Sequence, residues 1–212
     1  LKRDSLEEVH DRVKEDLGLC DILINGAGGN NARANTDKEY YEAGDLEDET
    51  VKSFFDLEDG GVQFVFNLNF IGVLLPTQVF AKDMIGRKGG NIINISSMNA
   101  FTPLTKIPAY SGAKSAVSNF TQWLAVHFSK EDIRVNAIAP GMIMTDMLRG
   151  VNQDELNALA ATIPQKEEER KVKERKVKMM IIRQAARPIC RHRRHRHPLS
   201  LSFPLMFPGI PL

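Results

Sequence analysis

Three short apolar runs constrain this 212-residue chain more than any other feature. Cys20–Ile24, Asn91–Ser96 and Arg134–Ala139 are each too brief for a helix, and each runs into a turn rich in Gly, Ser or Pro. Segments with helical spacing lie between them. That alternation predicts βαβ units, and such units build a parallel sheet with helices on both faces and right-handed crossovers. A first helix is expected over 4–17, where Leu6, Val9, Val13 and Leu17 recur on one face and Gly18 follows. A second, buried on much of its surface, is expected over 62–85, with a kink or local break at Pro76. A third is expected over 109–128 and a further helical stretch over 145–161. Residues 30–60 are polar and acidic, and read as a surface loop with one short helix near 47–55.

Composition narrows the class. Hydrophobic residues make up 42% and charged residues 26%, as in an ordinary soluble domain, and the length suits one domain rather than two. No apolar run approaches the roughly 20 residues of a membrane span. Leu1 to Glu8 lack the basic-then-apolar plan of a signal peptide, so a cytoplasmic location is expected. Cys20 and Cys190 offer neither a disulfide framework nor metal-ligand spacing, so two free thiols and no metal are expected.

The net charge of +1 conceals a division. Residues 166–197 hold 13 Lys/Arg against 4 Asp/Glu, whereas the first 165 hold 15 against 23. Residues 198–212 carry no charge and four prolines. Two kinds of sequence are joined here. Residues 1–164 read as the folded domain, and 165–212 as a basic, then Pro-rich tail expected to be disordered or irregular.

The chemistry concentrates at Tyr110-Ser111-Gly112-Ala113-Lys114. Tyr and Lys at i and i+4 share one helix face. A phenol is a poor base at neutral pH, and an ammonium placed nearby favours the phenolate. Such a Tyr can exchange a proton with a substrate oxygen while hydride moves at carbon. Ser97 lies thirteen residues upstream at the C-terminal end of a predicted strand, where ligands of open α/β sheets bind. Its hydroxyl can hydrogen-bond a carbonyl oxygen without adding charge. Taken singly, the Tyr–Lys pair also suits a solvated helix face, and Ser97 a turn cap.

Five motifs carry a resemblance. Asn25-Gly26-Ala27-Gly28, Asn69-Phe70-Ile71-Gly72, Ile95-Ser96-Ser97, Tyr110-(x3)-Lys114 and Pro140-Gly141-(x3)-Thr145 stand in the order and approximate spacing of the short-chain dehydrogenase/reductase family. The likeness runs from about residue 4 to 164. It implies an α/β, Rossmann-like, doubly wound parallel sheet and an NAD(P)-dependent oxidoreductase acting on a CH–OH group. It also implies roles residue by residue. Tyr110 would be the general acid/base, and Lys114 would favour its phenolate and hold the nicotinamide ribose. Ser97 would orient the substrate oxygen, and Asn69 would hold a water linking Lys114 to solvent. Asn25, Ala27 and Gly28 would form the turn against the adenosine side of the cofactor. Pro140, Gly141 and Thr145 would line the nicotinamide pocket. Family members are commonly homodimers or homotetramers built on the helices near 62–85 and 109–128.

A narrower resemblance rests on Ile24 to Asn31, the acidic insert and Asn99 to Pro108. These look like the D-mannonate oxidoreductase (fructuronate reductase) branch, with gluconate and polyol dehydrogenases sharing much of the pattern. A sugar acid calls for amides that read hydroxyls and a cation for its carboxylate, and Asn30, Asn31, Asn99 and Lys106 are the candidates. No nucleic-acid or membrane partner is expected, although Arg191–His197 forms a basic cluster.

Two departures stand against the family pattern. Its opening strand and glycine-rich pyrophosphate turn have no counterpart before residue 4, so about 60 residues, two βα units and a strand, are expected to be missing. The residue that chooses NAD or NADP falls in that part. After Gln165 the expected last helix and strand give way to the charged tail, as a change of reading frame or a wrong join would produce. The chain alone is therefore expected to be poorly stable and inactive. The alternative is a non-catalytic binding module derived from a dehydrogenase.

Overall fold

The computed structural model describes residues 2–103, 105–141, 143 and 179–182. The helical stretch expected over 145–161, the site residue Thr145 and nearly all of the tail lie outside them. Helix α1 spans Arg3–Leu17, as its spacing predicts, and Gly18 ends it with φ 88°. Strand β1 is Ile22–Asn25, shifted from the expected start at Cys20. The Cys20 N–H is taken by the Asp83 carboxylate at 3.1 Å and so does not enter the ladder.

The next helix runs without interruption from Asp59 to Met84, but in four segments of three geometries. Helix α2 is Asp59–Phe66, a π turn covers Asn67–Ile71, α3 is Gly72–Phe80, and a 3₁₀ turn closes at Ala81–Met84. The irregularity expected at Pro76 lies one turn earlier, and α3 passes through the proline. The cause is Asn69, whose Nδ2 donates to the Val65 carbonyl at 2.8 Å. A regular α-helix would give that carbonyl to the Asn69 backbone N–H. By length and composition these 26 residues would suffice to cross a membrane, contrary to the sequence expectation. Here Val65, Val73, Val79 and Met84 are instead buried within the fold.

Strand β2 is Asn91–Ile95, helix α4 is Pro108–His127 and strand β3 is Arg134–Pro140. β1, β2 and β3 pair in parallel, with Asn25 opposite Asn94 and Asn94 opposite Ala137. A fourth strand, β4 at Met179–Ile182, pairs antiparallel with β3, placing Met179 opposite Pro140. The composition of 165–212 predicts an irregular tail and no strand in that segment. The short helix expected near 47–55 reduces to a 3₁₀ turn at Phe54–Asp56, set by a capping box between Ser53 and Asp56.

Helices α3 and α4 pack on one face of the sheet. Ala81, Met84, Leu124 and Ala125 form a core with Ile92, Ile133 and Val135. A buried polar chain crosses the same interface. Asn25 Nδ2 donates to Thr77 Oγ1 (3.0 Å) and Asn94 Oδ1 (2.8 Å), and Asn94 Nδ2 donates to Thr121 Oγ1 (2.9 Å). Helix α1 joins this layer against α3, with His10 Nε2 3.0 Å from the Asp83 carboxylate. Helices were expected on both faces, but among the described residues none covers the other. There Ile22 and Ile24 are 60% and 62% exposed.

Candidate active site

The C-terminal ends of β1, β2 and β3 lie along one edge of the sheet, the edge where ligands of open α/β folds bind. Asn25, Ser97 and Pro140 sit on or just beyond these ends, and the first turns of α4 pack beside them. The topology thereby gathers residues far apart in sequence.

Lys114 lies in the floor of this region, 3% exposed. Its Nζ donates to the Ile95 carbonyl at 2.8 Å and stands 5.7 Å from the centroid of the Tyr110 ring. Burial lowers the ammonium from its ordinary 10.5 to about 8, because a low-dielectric setting disfavours charge. Tyr110, one turn earlier on α4, is partly buried and packs on a small cluster of Ala34, Val65, Ala109 and Ala113.

Ser97 is buried and caps a 3₁₀ turn over Met98–Ala100. Its Oγ accepts the Asn99 backbone N–H at 3.2 Å. That bond occupies a lone pair and leaves the hydroxyl proton available to another acceptor. The cap reading and the substrate-orienting reading of Ser97 are therefore compatible.

Asn69 is fully buried in the π turn. Its Nδ2 donates to the Gly29 carbonyl at 2.7 Å as well as to Val65, and its Oδ1 accepts the Gly29 N–H at 3.2 Å. The side chain thus pairs with Gly29 as a neighbouring strand would. Both amide N–H groups are used, so this side chain has none free for the water expected of it. Gly28 passes through the gap alongside. A Cβ at that position would stand 2.9 Å from Asn69 Oδ1 and 3.1 Å from Lys114 Nζ, which only glycine avoids.

The remaining expected residues divide. Ala27 and Gly28 are exposed at the end of β1, and Pro140 and Gly141 close β3, where a cofactor would be reached. Asn25 instead turns inward into the Thr77–Asn94 chain. Asn30 is exposed and its amide is engaged by Asn35 at 3.0 Å, while Asn31 caps a 3₁₀ turn at Ala32–Ala34. Asn99 is 7% exposed, and its side-chain amide has no hydrogen bond among the described residues. Lys106 is exposed on the loop before α4, where its backbone carbonyl accepts the Thr36 N–H at 3.0 Å. Sequence reasoning missed Ser96, Ser118, Thr77, Asn94 and Thr121, the buried hydroxyls and amide that lock β1, β2 and the helices together. Their polar character at alternate strand positions and on the buried faces of α3 and α4 was the available signal.

Residues 1–156 match the short chain dehydrogenase family. The chain belongs to that family. An uncharacterized oxidoreductase of Haemophilus influenzae is 65% identical over 146 residues, which cover 69% of this chain and 50% of that protein. The 2-dehydro-3-deoxy-D-gluconate 5-dehydrogenase of Escherichia coli is 34% identical, over 73% of this chain and 54% of that enzyme. A Haemophilus crystal structure with bound NAD, of a protein provisionally named a D-mannonate oxidoreductase, aligns with a TM-score of 0.68. It is 61% identical, and the alignment covers 72% of this chain and 55% of that one. The chain spans about half the length of the curated relatives it matches.

Proposed function

We propose that this dehydrogenase-family chain supports hydride transfer between a nicotinamide nucleotide, NAD or NADP, and the CH–OH carbon of a sugar acid. D-mannonate and D-fructuronate form the favoured pair. One observation carries the reading: Lys114, buried, lies beside the Tyr110 ring at the strand edge that also holds Ser97.

The cofactor fits the residues present. The Gly28 backbone is exposed just past β1 and packs closely on Lys114 Nζ, and Pro140 and Gly141 lie at the end of β3 on the same edge of the sheet. Lys114 would hold ribose hydroxyls, and Ala27, Gly28, Pro140, Gly141 and Thr145 would line the rest of its path. Asn25 would act through the sheet, by fixing the end of β1. When bound, the nicotinamide accepts or supplies the hydride. Tyr110 moves the proton, taking it from the alcohol oxygen in oxidation and returning it to the carbonyl oxygen in reduction. Ser97 donates its hydroxyl proton to that oxygen and fixes its direction. Lys114 keeps a positive charge near the phenol. Asn69 holds Gly29, and with it the turn on which the cofactor would rest.

The sugar-acid reading is supported by the 61% identity to the Haemophilus protein and by the place of Asn99, buried two residues past Ser97. Asn30 and Lys106 are outer candidates for the substrate's hydroxyls and carboxylate. A gluconate-type substrate is the second reading, favoured by similarity to the Escherichia coli enzyme. We further propose a homodimer or homotetramer built on α2–α3 and α4, whose outer faces expose Phe64, Phe66, Trp123 and Val126.

The test is nucleotide reduction with D-mannonate and with gluconate-type acids by this segment joined to the rest of a family-length chain, since the 212 residues alone are expected to be inactive. It is repeated with Tyr110→Phe. The variant should lose on the order of 10²- to 10⁴-fold in kcat while keeping its melting temperature. Undiminished turnover would remove Tyr110 from the mechanism. A preference for gluconate-type acids would replace the mannonate assignment.

A further inference from the structure

Side chains alternate along a strand and its extension, so Ser96 and Ser97 at the end of β2 point to opposite sides. Ser97 caps the turn at the site. Ser96, 2% exposed, turns to α4. Its Oγ donates to the Lys114 carbonyl at 3.1 Å and lies 2.6 Å from Ser118 Oγ. The residue before it, Ile95, accepts the Lys114 ammonium at 2.8 Å. Consecutive residues of one segment therefore grip Lys114 at both ends, by its backbone and by its Nζ.

Other helix hydroxyls bond differently. Thr121 on α4 and Thr77 on α3 each donate to the carbonyl four residues back, at 2.8 and 2.7 Å, and Ser115 Oγ lies 2.9 Å from the Ser111 carbonyl and 3.0 Å from that of Ala100. Ser118 stands four residues after Lys114, yet the Lys114 carbonyl is bonded by Ser96, from the neighbouring layer. A hydrogen bond local to the helix is replaced by one between elements. A lysine side chain is long and flexible, so its reach toward Tyr110 depends on where this turn of α4 sits on β2.

We propose that the Ser96–Ser118 hydroxyl pair is a positioning device that sets the Tyr110–Lys114 face of α4 against Ser97. The proposal rests on reading Tyr110 and Lys114 as the acid/base pair. Ser96 touches neither substrate nor cofactor. It acts through Lys114, and by adjacency through Ser97, so that one dipeptide carries both the orienting hydroxyl and the staple.

The decisive experiment follows Lys114 by carbon NMR of its side chain in the full 212-residue chain. The native residue should titrate near 8. In Ser96→Ala the Ser118 hydroxyl can turn back to the Lys114 carbonyl, so the helix stays folded and stays tied to β2 by the Lys114–Ile95 and Asn94–Thr121 bonds, but this turn of α4 loses its hydroxyl link and loosens. Water then reaches the ammonium, and its titration should rise by about one pH unit toward the ordinary lysine range. Ser96→Thr, which keeps the hydroxyl, should restore the native value. Ser118→Ala leaves the Ser96 bond to Lys114 and should give a smaller rise in the same direction. In a family-length chain carrying this segment, hydride transfer should fall on the order of tenfold in Ser96→Ala, with its pH profile displaced alongside the Lys114 titration.

A folded Ser96→Ala chain with an unmoved Lys114 titration overturns the proposal, as does a Ser96→Thr shift equal to that of alanine. Should Ser96→Ala not fold, the absence of any rise in Ser118→Ala overturns it equally. The titration needs no turnover. Activity surviving in Tyr110→Phe would defeat the acid/base reading and leave the NMR result standing.

Discussion

Lys114 shows how a single side chain can be read in two ways until its surroundings are known. Four residues after a tyrosine, it suits a solvated helix face as well as a catalytic pair. Its 3% exposure and its bond to Ile95 remove the first reading. Burial lowers its titration from 10.5 to about 8, and this has a consequence for stability. Between those values the unfolded chain holds the proton and the folded chain has released it, so stability rises with pH across that window. Below about 8 both states are charged and the contribution is flat. We expect Lys114→Met to abolish a rise on the order of 2 kcal/mol, discounted for partial solvent access. Urea unfolding from about pH 7 to about pH 10 measures it. An identical slope in the variant would mean that another group titrates there. At this scale the sequence was informative about residue type and spacing. It could not show that Asn25 turns inward, or that both Asn69 N–H groups are spent on backbone carbonyls.

Among the elements, the π turn at Asn67–Ile71 carries the most specific consequence. Asn69 takes over a carbonyl of its own helix and pairs with Gly29 on the β1 turn, coupling the two elements. Asn69→Leu keeps the volume and leaves Gly29 N–H, Gly29 C=O and Val65 C=O without these partners. The expected loss is about 3 kcal/mol, as for a broken buried network. Amide exchange should then accelerate at Gly29 while the Asn94–Thr121 bond keeps β2 and α4 protected. Uniform acceleration across the sheet would show that Asn69 supports the whole core and not this turn. The three parallel strands and α1 and α4 were legible from run length, periodicity and turn residues. The wide turn was not, because a proline was a visible reason for a break and an asparagine four residues after Val65 was not.

For the molecule as a whole, the uneven layering of the sheet matters most. Helices α1, α3 and α4 cover one face, while β1 forms one lateral edge and carries Ile22 and Ile24 toward the other. Unpaired, apolar strand edges template association. We expect Ile22→Lys with Ile24→Lys to reduce light scattering of the purified chain and to shift its melting temperature by less than about 2 °C. A large fall in melting temperature would mean that these side chains are buried by something outside the described residues. The fold class was determined by sequence, because strand length and helical period depend only on residues near one another in the chain. The tertiary structure decided the rest. Burial of Lys114, the turning inward of Asn25, the pairing of Asn69 with Gly29 and the grip of Ser96 on α4 each depend on contacts between residues 18 to 69 positions apart. No local pattern encodes such contacts, since they exist only once the sheet has brought its strand ends together.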